Sequence, residues 1–151
     1  MRSPLKETTE TKGLVDLPLL EWDDSYSVNV LKIDTQHKRL ISIVNELNDA
    51  MAEGRGKDIL SNTLARLINY TKEHFRDEEQ LMSDQGYPDF KKHQAEHIRL
   101  TEQVIQFQKE YEDGSIAITI KMMRFLRDWL SNHIKGTDKK YGPYLNERGI
   151  R

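Results

Sequence analysis

The sequence predicts an all-α fold: an up-down-up-down four-helix bundle with an extended N-terminal arm. The arm is residues 1–20 and the bundle domain residues 21–151. Three observations predict this. Apolar residues recur every three or four positions in four long stretches, the spacing that lines one face of a helix. Glycine and proline punctuate the intervals between the stretches. Those intervals are short, so successive helices run antiparallel.

Each element has its own justification. Residues 1–20 are polar, contain two prolines and end in LVDLPLL, an arm expected to be loose at first and to dock late. The next segment, EWDDSYSVNVLKID, alternates polar and apolar residues without a helical stripe. It reads as an extended segment pinned by Trp22, Tyr26, Val28, Val30 and Ile33. The first helix is expected over about Thr35–Glu53, with the stripe Leu40, Ile41, Val44, Leu47 and Met51, and a stop at Gly54. The second, about Lys57–Ser83, carries Leu60, Leu64, Leu67, Thr71, His74, Glu78 and Leu81. The third, about Asp89–Glu112, follows the turn Gly86-Tyr87-Pro88 and ends at Gly114. Its stripe is Phe90, His93, His97, Leu100, Val104, Phe107 and Tyr111. The fourth, about Ile116–Lys135, carries Ile118, Met122, Leu126, Trp129 and His133, and meets Gly136. DKKYGPYL supplies one more turn.

Composition excludes several classes. With 151 residues the chain fits one domain. Charged residues make up 32% and the net charge is −2, with both signs interleaved, so no nucleic-acid or membrane-surface partner is expected. There is no cysteine, which removes disulfides, iron–sulfur clusters and thiolate zinc sites. The opening MRSPLKETTETKG lacks the apolar core of a secretion signal, and no apolar run could cross a bilayer. A cytoplasmic location is the default expectation. A monomer is expected, because the helix faces away from the stripes are mostly charged.

The histidines carry the chemistry. His74, His93, His97 and His133, with Glu78, fall on apolar stripes rather than charged faces; the fifth histidine is His37. Residues i and i+4 lie on one helix face a turn apart, so His74/Glu78 and His93/His97 each present two donors to one centre. His133 and Asp138, at i and i+5, do not share an α-helical face. Gly136, between them, is expected to loosen or end the helix and swing Asp138 back. One histidine on a stripe is usually a hydrogen-bonded core residue. Buried together, five imidazoles and two carboxylates would each cost a few kcal/mol if left unpaired. A metal centre satisfies them at once. Seven ligands exceed one tetrahedral zinc and suit two ions sharing carboxylates, with a position open. Five imidazoles split three and two leave one ion a ligand short, which favours iron and dioxygen chemistry over zinc.

These residues resemble the hemerythrins, in particular the bacterial ones, over roughly Leu20–Leu145. The motifs run IDTQH ending at His37, HFRDE over His74–Glu78, HQAEH over His93–His97 and HIKGTD over His133–Asp138. The resemblance implies a non-haem di-iron centre bridged by an oxo or hydroxo ion. One iron would take His93, His97 and His133; the other His37 and His74; Glu78 and Asp138 would bridge them. Dioxygen would bind reversibly at the two-histidine iron.

A mostly neutral ligand set stabilises highly oxidised iron less than the carboxylate-rich sets of di-iron oxidases, which favours reversible binding. A dry pocket is expected. Leu40, Phe75, Trp129, Leu130 and Ile134 lie one, three or four residues from ligands and are candidates for its wall, although each also suits plain core packing. Tyr141 is either beside the ligands or on the surface, and Gln36 has no assignable role. The leading reading is a dioxygen-binding protein (carrier, store or sensor) rather than an enzyme. The alternatives are a di-iron enzyme acting on nitric oxide or peroxide, and an iron-handling protein. A redox or oxygen-consuming partner is left unidentified.

Overall fold

The computed structural model describes residues 18–151, so most of the predicted N-terminal arm lies outside the described residues. Four long helices follow one another: α1 (Leu31–Ala52), α2 (Lys57–Asp84), α3 (Phe90–Glu112) and α4 (Ile120–Asn132). A π-helical turn (His133–Thr137), a 3-10 turn (Asp138–Lys140) and a short helix, α5 (Gly142–Glu147), complete the chain. Helix α1 packs on α2, α2 on α3, and α4 returns against α1. This is the expected four-helix bundle, and the described residues contain no strand.

The helix ends follow local chemistry. After α1 and α2 the chain turns through a glycine with positive φ: Gly54 at 71° and Gly86 at 65°. The next N–H reaches back to the last turn, Arg55 to the Ala50 carbonyl and Tyr87 to the Met82 carbonyl, so orphan carbonyls are satisfied. Helix α4 starts at Ile120, later than the predicted Ile116, because Thr119 caps it by accepting the Met122 N–H.

The segment predicted as extended is only partly so. Asp24–Tyr26 form a 3-10 turn, and α1 begins at Leu31, earlier than the predicted Thr35. The cause is Asp34, whose carboxylate accepts the Val28 N–H at 2.8 Å and the Ser27 hydroxyl at 2.5 Å. Asn29, in the left-handed region at φ 58°, makes the bend into the helix. Tyr26, Val28, Val30 and Ile33 are buried as expected and Trp22 is half-buried. Leu20 is tied to α1, exchanging two hydrogen bonds with the Asn45 side chain at 2.9 and 2.7 Å.

The apolar interior falls into two clusters. The larger includes Leu40, Leu64, Leu67, Phe75, Leu100, Phe107, Leu126, Leu130 and Ile134. The smaller, at one end of the bundle, joins Val28, Val30, Ile33, Met82, Tyr87, Tyr141 and Leu145. Along α1 the order is Ile33, His37, Leu40; along α2 it is Phe75, Glu78, Met82. His37 and Glu78 are therefore sandwiched between two apolar plugs. Gly142 lets α5 close the smaller one, because a Cβ there would stand 2.7 Å from the Val28 carbonyl oxygen.

Candidate metal centre

All seven residues singled out from the sequence converge between the two plugs. His37 comes from α1, His74 and Glu78 from one face of α2, His93 and His97 from one face of α3. His133 stands at the end of α4, and Asp138 follows the π turn. Each is at most 4% exposed, so none is solvated.

The π turn corrects the role expected of Gly136. The Asp138 N–H donates to the His133 carbonyl, an i to i+5 bond. The extra residue in the turn brings positions five apart onto one face, which an α-helix cannot do. Gly136 has no positive φ, and a Cβ there would meet nothing within 4 Å. The device is the widened turn.

Ligand atoms of the seven residues form two overlapping sets. Glu78, His93, His97, His133 and Asp138 bring one donor atom each to within 4.8 Å of one another; His37, His74, Glu78 and Asp138 do the same. Both carboxylates belong to both sets. Asp138 reaches His37 Nε2 at 2.9 Å through Oδ2, and His93 and His133 Nε2 at 3.0 and 2.9 Å through Oδ1. Glu78 contacts His74 Nε2 and lies 3.6 Å from His37 and 3.8 Å from His93.

Burial and mutual charge set the protonation of this cluster. For Asp138, burial opposes ionisation, but the imidazoles of His133, His37 and His93 outweigh it and hold the carboxyl well below its usual range. Glu78 is likewise pulled to about 2: burial and the Asp138 charge oppose ionisation, and His74 and His37 prevail. Burial lowers the affinity of His37 and His133 for protons, yet the carboxylates raise them to about 9 and about 10. Burial dominates at His97, which falls to about 4.

The inner atoms fit a pair of cations. His37, His74, His97 and His133 Nε2, both Glu78 oxygens and Asp138 Oδ2 are buried without a well-formed hydrogen bond. Each such group costs about 1–3 kcal/mol if left unsatisfied. These atoms face one another, and imidazole with carboxylate is a donor set suited to iron. The two overlapping donor groups, sharing both carboxylates, could each hold one ion.

Sequence reasoning missed the residues behind the histidines. Glu79 accepts from His97 Nδ1 at 3.0 Å, and Glu96 from His133 Nδ1 at 3.1 Å. Gln36 Oε1 lies 2.6 Å from His74 Nδ1. Their only signal is adjacency to a ligand position (Gln36 before His37, Glu79 after Glu78, Glu96 before His97). Hydrogen bonds from His133 and Thr137 hold the Glu96 carboxyl at about 2 despite partial burial. Tyr141 is 1% exposed, so it belongs to the interior. Burial, then the charges of Glu78 and Asp138, push its phenol well above the usual range.

Of the five candidate wall residues, all are buried and belong to the larger cluster. Phe75 has direct contact with the site. Its ring stacks on His97 at 3.7 Å between centroids and 2° between planes, and lies 5.3 Å from His133 and 5.9 Å from His74. Phe75, His97 and Glu79 also form the inner lining of a surface cavity of about 490 Å³ between α2 and α3. Trp129 lines a separate surface groove beside His133.

A four-helix bundle with five converging imidazoles and two shared carboxylates defines a class: an all-α metal-binding domain with a buried cluster of histidine and carboxylate donors. The profile of the Hemerythrin HHE cation binding domain matches residues 29–145. The bacteriohemerythrin of Methylococcus capsulatus is 39% identical over 131 residues, covering 86% of this chain and 99% of the relative. The myohemerythrin of Theromyzon tessulatum is 31% identical over 80% of this chain and 89% of its own length. A crystal structure of wild-type hemerythrin superposes with a TM-score of 0.77 at 38% identity, covering 83% of this chain and 96% of that one. The chain belongs to the hemerythrin family. Among the described residues no helix is long and apolar enough to cross a membrane.

Proposed function

We propose that this protein binds dioxygen reversibly at a di-iron centre, as a carrier, store or sensor rather than as an enzyme. His93, His97 and His133 would hold one iron, His37 and His74 the other, and Glu78 and Asp138 both. The observation that carries the reading is the pair of overlapping donor sets with unsatisfied inner atoms. When bound, the two ions would supply the electrons that make dioxygen binding strong yet reversible.

The chain's own residues support reversibility. The two apolar clusters enclose the donors and exclude the water that would let bound oxygen leave as a reduced product. Phe75, stacked on His97, closes the side facing the surface cavity. Five neutral imidazoles against two carboxylates limit the negative charge on the centre, which disfavours highly oxidised iron. The names of the curated relatives, bacteriohemerythrin and myohemerythrin, agree with this reading.

The test is anaerobic reduction and iron counting, followed by visible spectra through cycles of oxygen addition and removal. Two irons per chain and an absorption band that comes and goes with oxygen are expected. A single irreversible oxidation, or sustained consumption of peroxide or nitric oxide at tens per second, would move the assignment to an enzyme.

A further inference from the structure

The hydrogen bonds behind the histidines are unequal on the two halves of the centre. On the three-histidine half, His97 and His133 each direct Nδ1 at a carboxylate, Glu79 and Glu96. Both carboxylates are fixed from behind. Gln94 Nε2 donates to Glu79 at 2.8 Å, and the Thr137 hydroxyl donates to Glu96 at 2.9 Å. On the two-histidine half, His74 meets the neutral amide of Gln36, and His37 Nδ1 is buried with no hydrogen bond. Asp77 fixes the sense of the amide. It accepts from Gln36 Nε2 at 2.7 Å, which leaves the carbonyl oxygen for His74. The reverse amide orientation would place the His74 proton on Nε2, the atom that faces the centre.

A carboxylate behind an imidazole does two things. It holds the tautomer whose Nε2 lone pair faces inward, and it makes that nitrogen a stronger donor. A neutral carbonyl does the first and much less of the second. Resting on the ligand sets proposed above, we infer that Glu79 and Glu96 are positioning residues that make the three-histidine half the tighter and first-filled metal site, with Gln36 and the unpartnered His37 leaving the other half weaker. The inequality adds to the one created by ligand number, and it arises from side chains that never touch metal.

Zinc added to the metal-depleted full chain tests this without any oxygen chemistry. Histidine-ring NMR follows which rings respond, and calorimetry gives the affinities. The first equivalent is expected to shift His93, His97 and His133, and the second His37 and His74. Glu79→Gln and Glu96→Gln should each weaken the first ion about 10- to 100-fold while leaving the second nearly unchanged. Gln36→Glu should tighten the second ion. These exchanges keep side-chain size, so the melting temperature of the metal-free variants controls for folding. Two ions that fill both halves together, or a first affinity untouched by both Glu→Gln exchanges, would overturn the inference and leave the di-iron reading standing. Fewer than two ions per chain, or shifts at other residues, would overturn the ligand sets themselves.

Discussion

Replacing Phe75 by alanine isolates the wall of the site from its ligands. The ring is 4% exposed, stacks flat on His97, and with His97 lines the cavity between α2 and α3. Loss of a buried Phe side chain costs about 3–5 kcal/mol. At about 2–4 °C per kcal/mol for a chain of this size, the melting temperature should fall by about 6–20 °C. The functional effect has a separate origin. With the ring gone, water from the cavity passes beyond His97 to the inner atoms now buried without hydrogen bonds. Hydrating one buried polar group is worth about 1–3 kcal/mol, so if the barrier to autoxidation falls by that amount the rate rises about 5- to 150-fold. The assay is the decay of the oxygenated spectrum at a temperature well below both melting points. Phe75→Leu, which keeps most of the apolar volume, should retain slow decay. An autoxidation rate in Phe75→Ala equal to that of the unaltered protein, with two irons retained, would refute the assignment of Phe75 as the barrier to water.

Other outcomes follow from the same geometry. Glu78→Ala removes a carboxylate common to both donor sets, and should lower iron content below two per chain and the melting temperature with it, since metal affinity and folding are coupled; full iron and an unchanged oxygen spectrum would disprove the ligand set. Gly142→Ala forces a Cβ to within 2.7 Å of the Val28 carbonyl, so α5 must shift, and denaturant titration should register a loss of about 1–3 kcal/mol; an unchanged midpoint would contradict the close approach. Trp129→Ala widens the groove beside His133 and should speed autoxidation, though less than Phe75→Ala, because Trp129 has no ring contact with the histidines; a larger effect than that of Phe75→Ala would relocate the barrier. Metal uptake should release protons, because His37 at about 9 and His133 at about 10 are protonated near neutrality without metal. Apparent metal affinity should therefore rise with pH until those values are passed. For the metal-free fold the sign is opposite: both folded values lie above the ordinary 6.5, so their stabilisation is complete below about pH 6.5 and lost as pH climbs through 9 and 10. Uptake without proton release, read with a pH indicator, would contradict the protonation scheme.

The division between what sequence and structure decided has a physical basis. Local periodicity determined the helices and put His74 with Glu78, and His93 with His97, on shared faces, because a pair four apart on a helix is neighbouring whatever surrounds it. Gly54, Gly86 and Gly114 marked three helix ends for the same local reason. Even α1's early start was locally encoded, in the Asp34 side chain, but no stripe announces a cap reached from six residues back. Other features depended on how the helices pack. His133 and Asp138 share a face only through a π turn, which has no periodicity to read and is tolerated where burial against other helices holds it. Tyr141 was ambiguous until α5 folded over it, with Gly142 against Val28. Gln36, Glu79 and Glu96 lie beside ligand positions, on the shoulders of their helices, and look like ordinary solvated residues in one dimension. Which shoulder meets which histidine is fixed by the rotation of one helix against the next, through contacts 18 to 38 residues apart in the chain. The sequence by itself determined the candidate donor residues and the helices that carry them; only the packing decided that His74, His97 and His133 are held from behind while His37 is not.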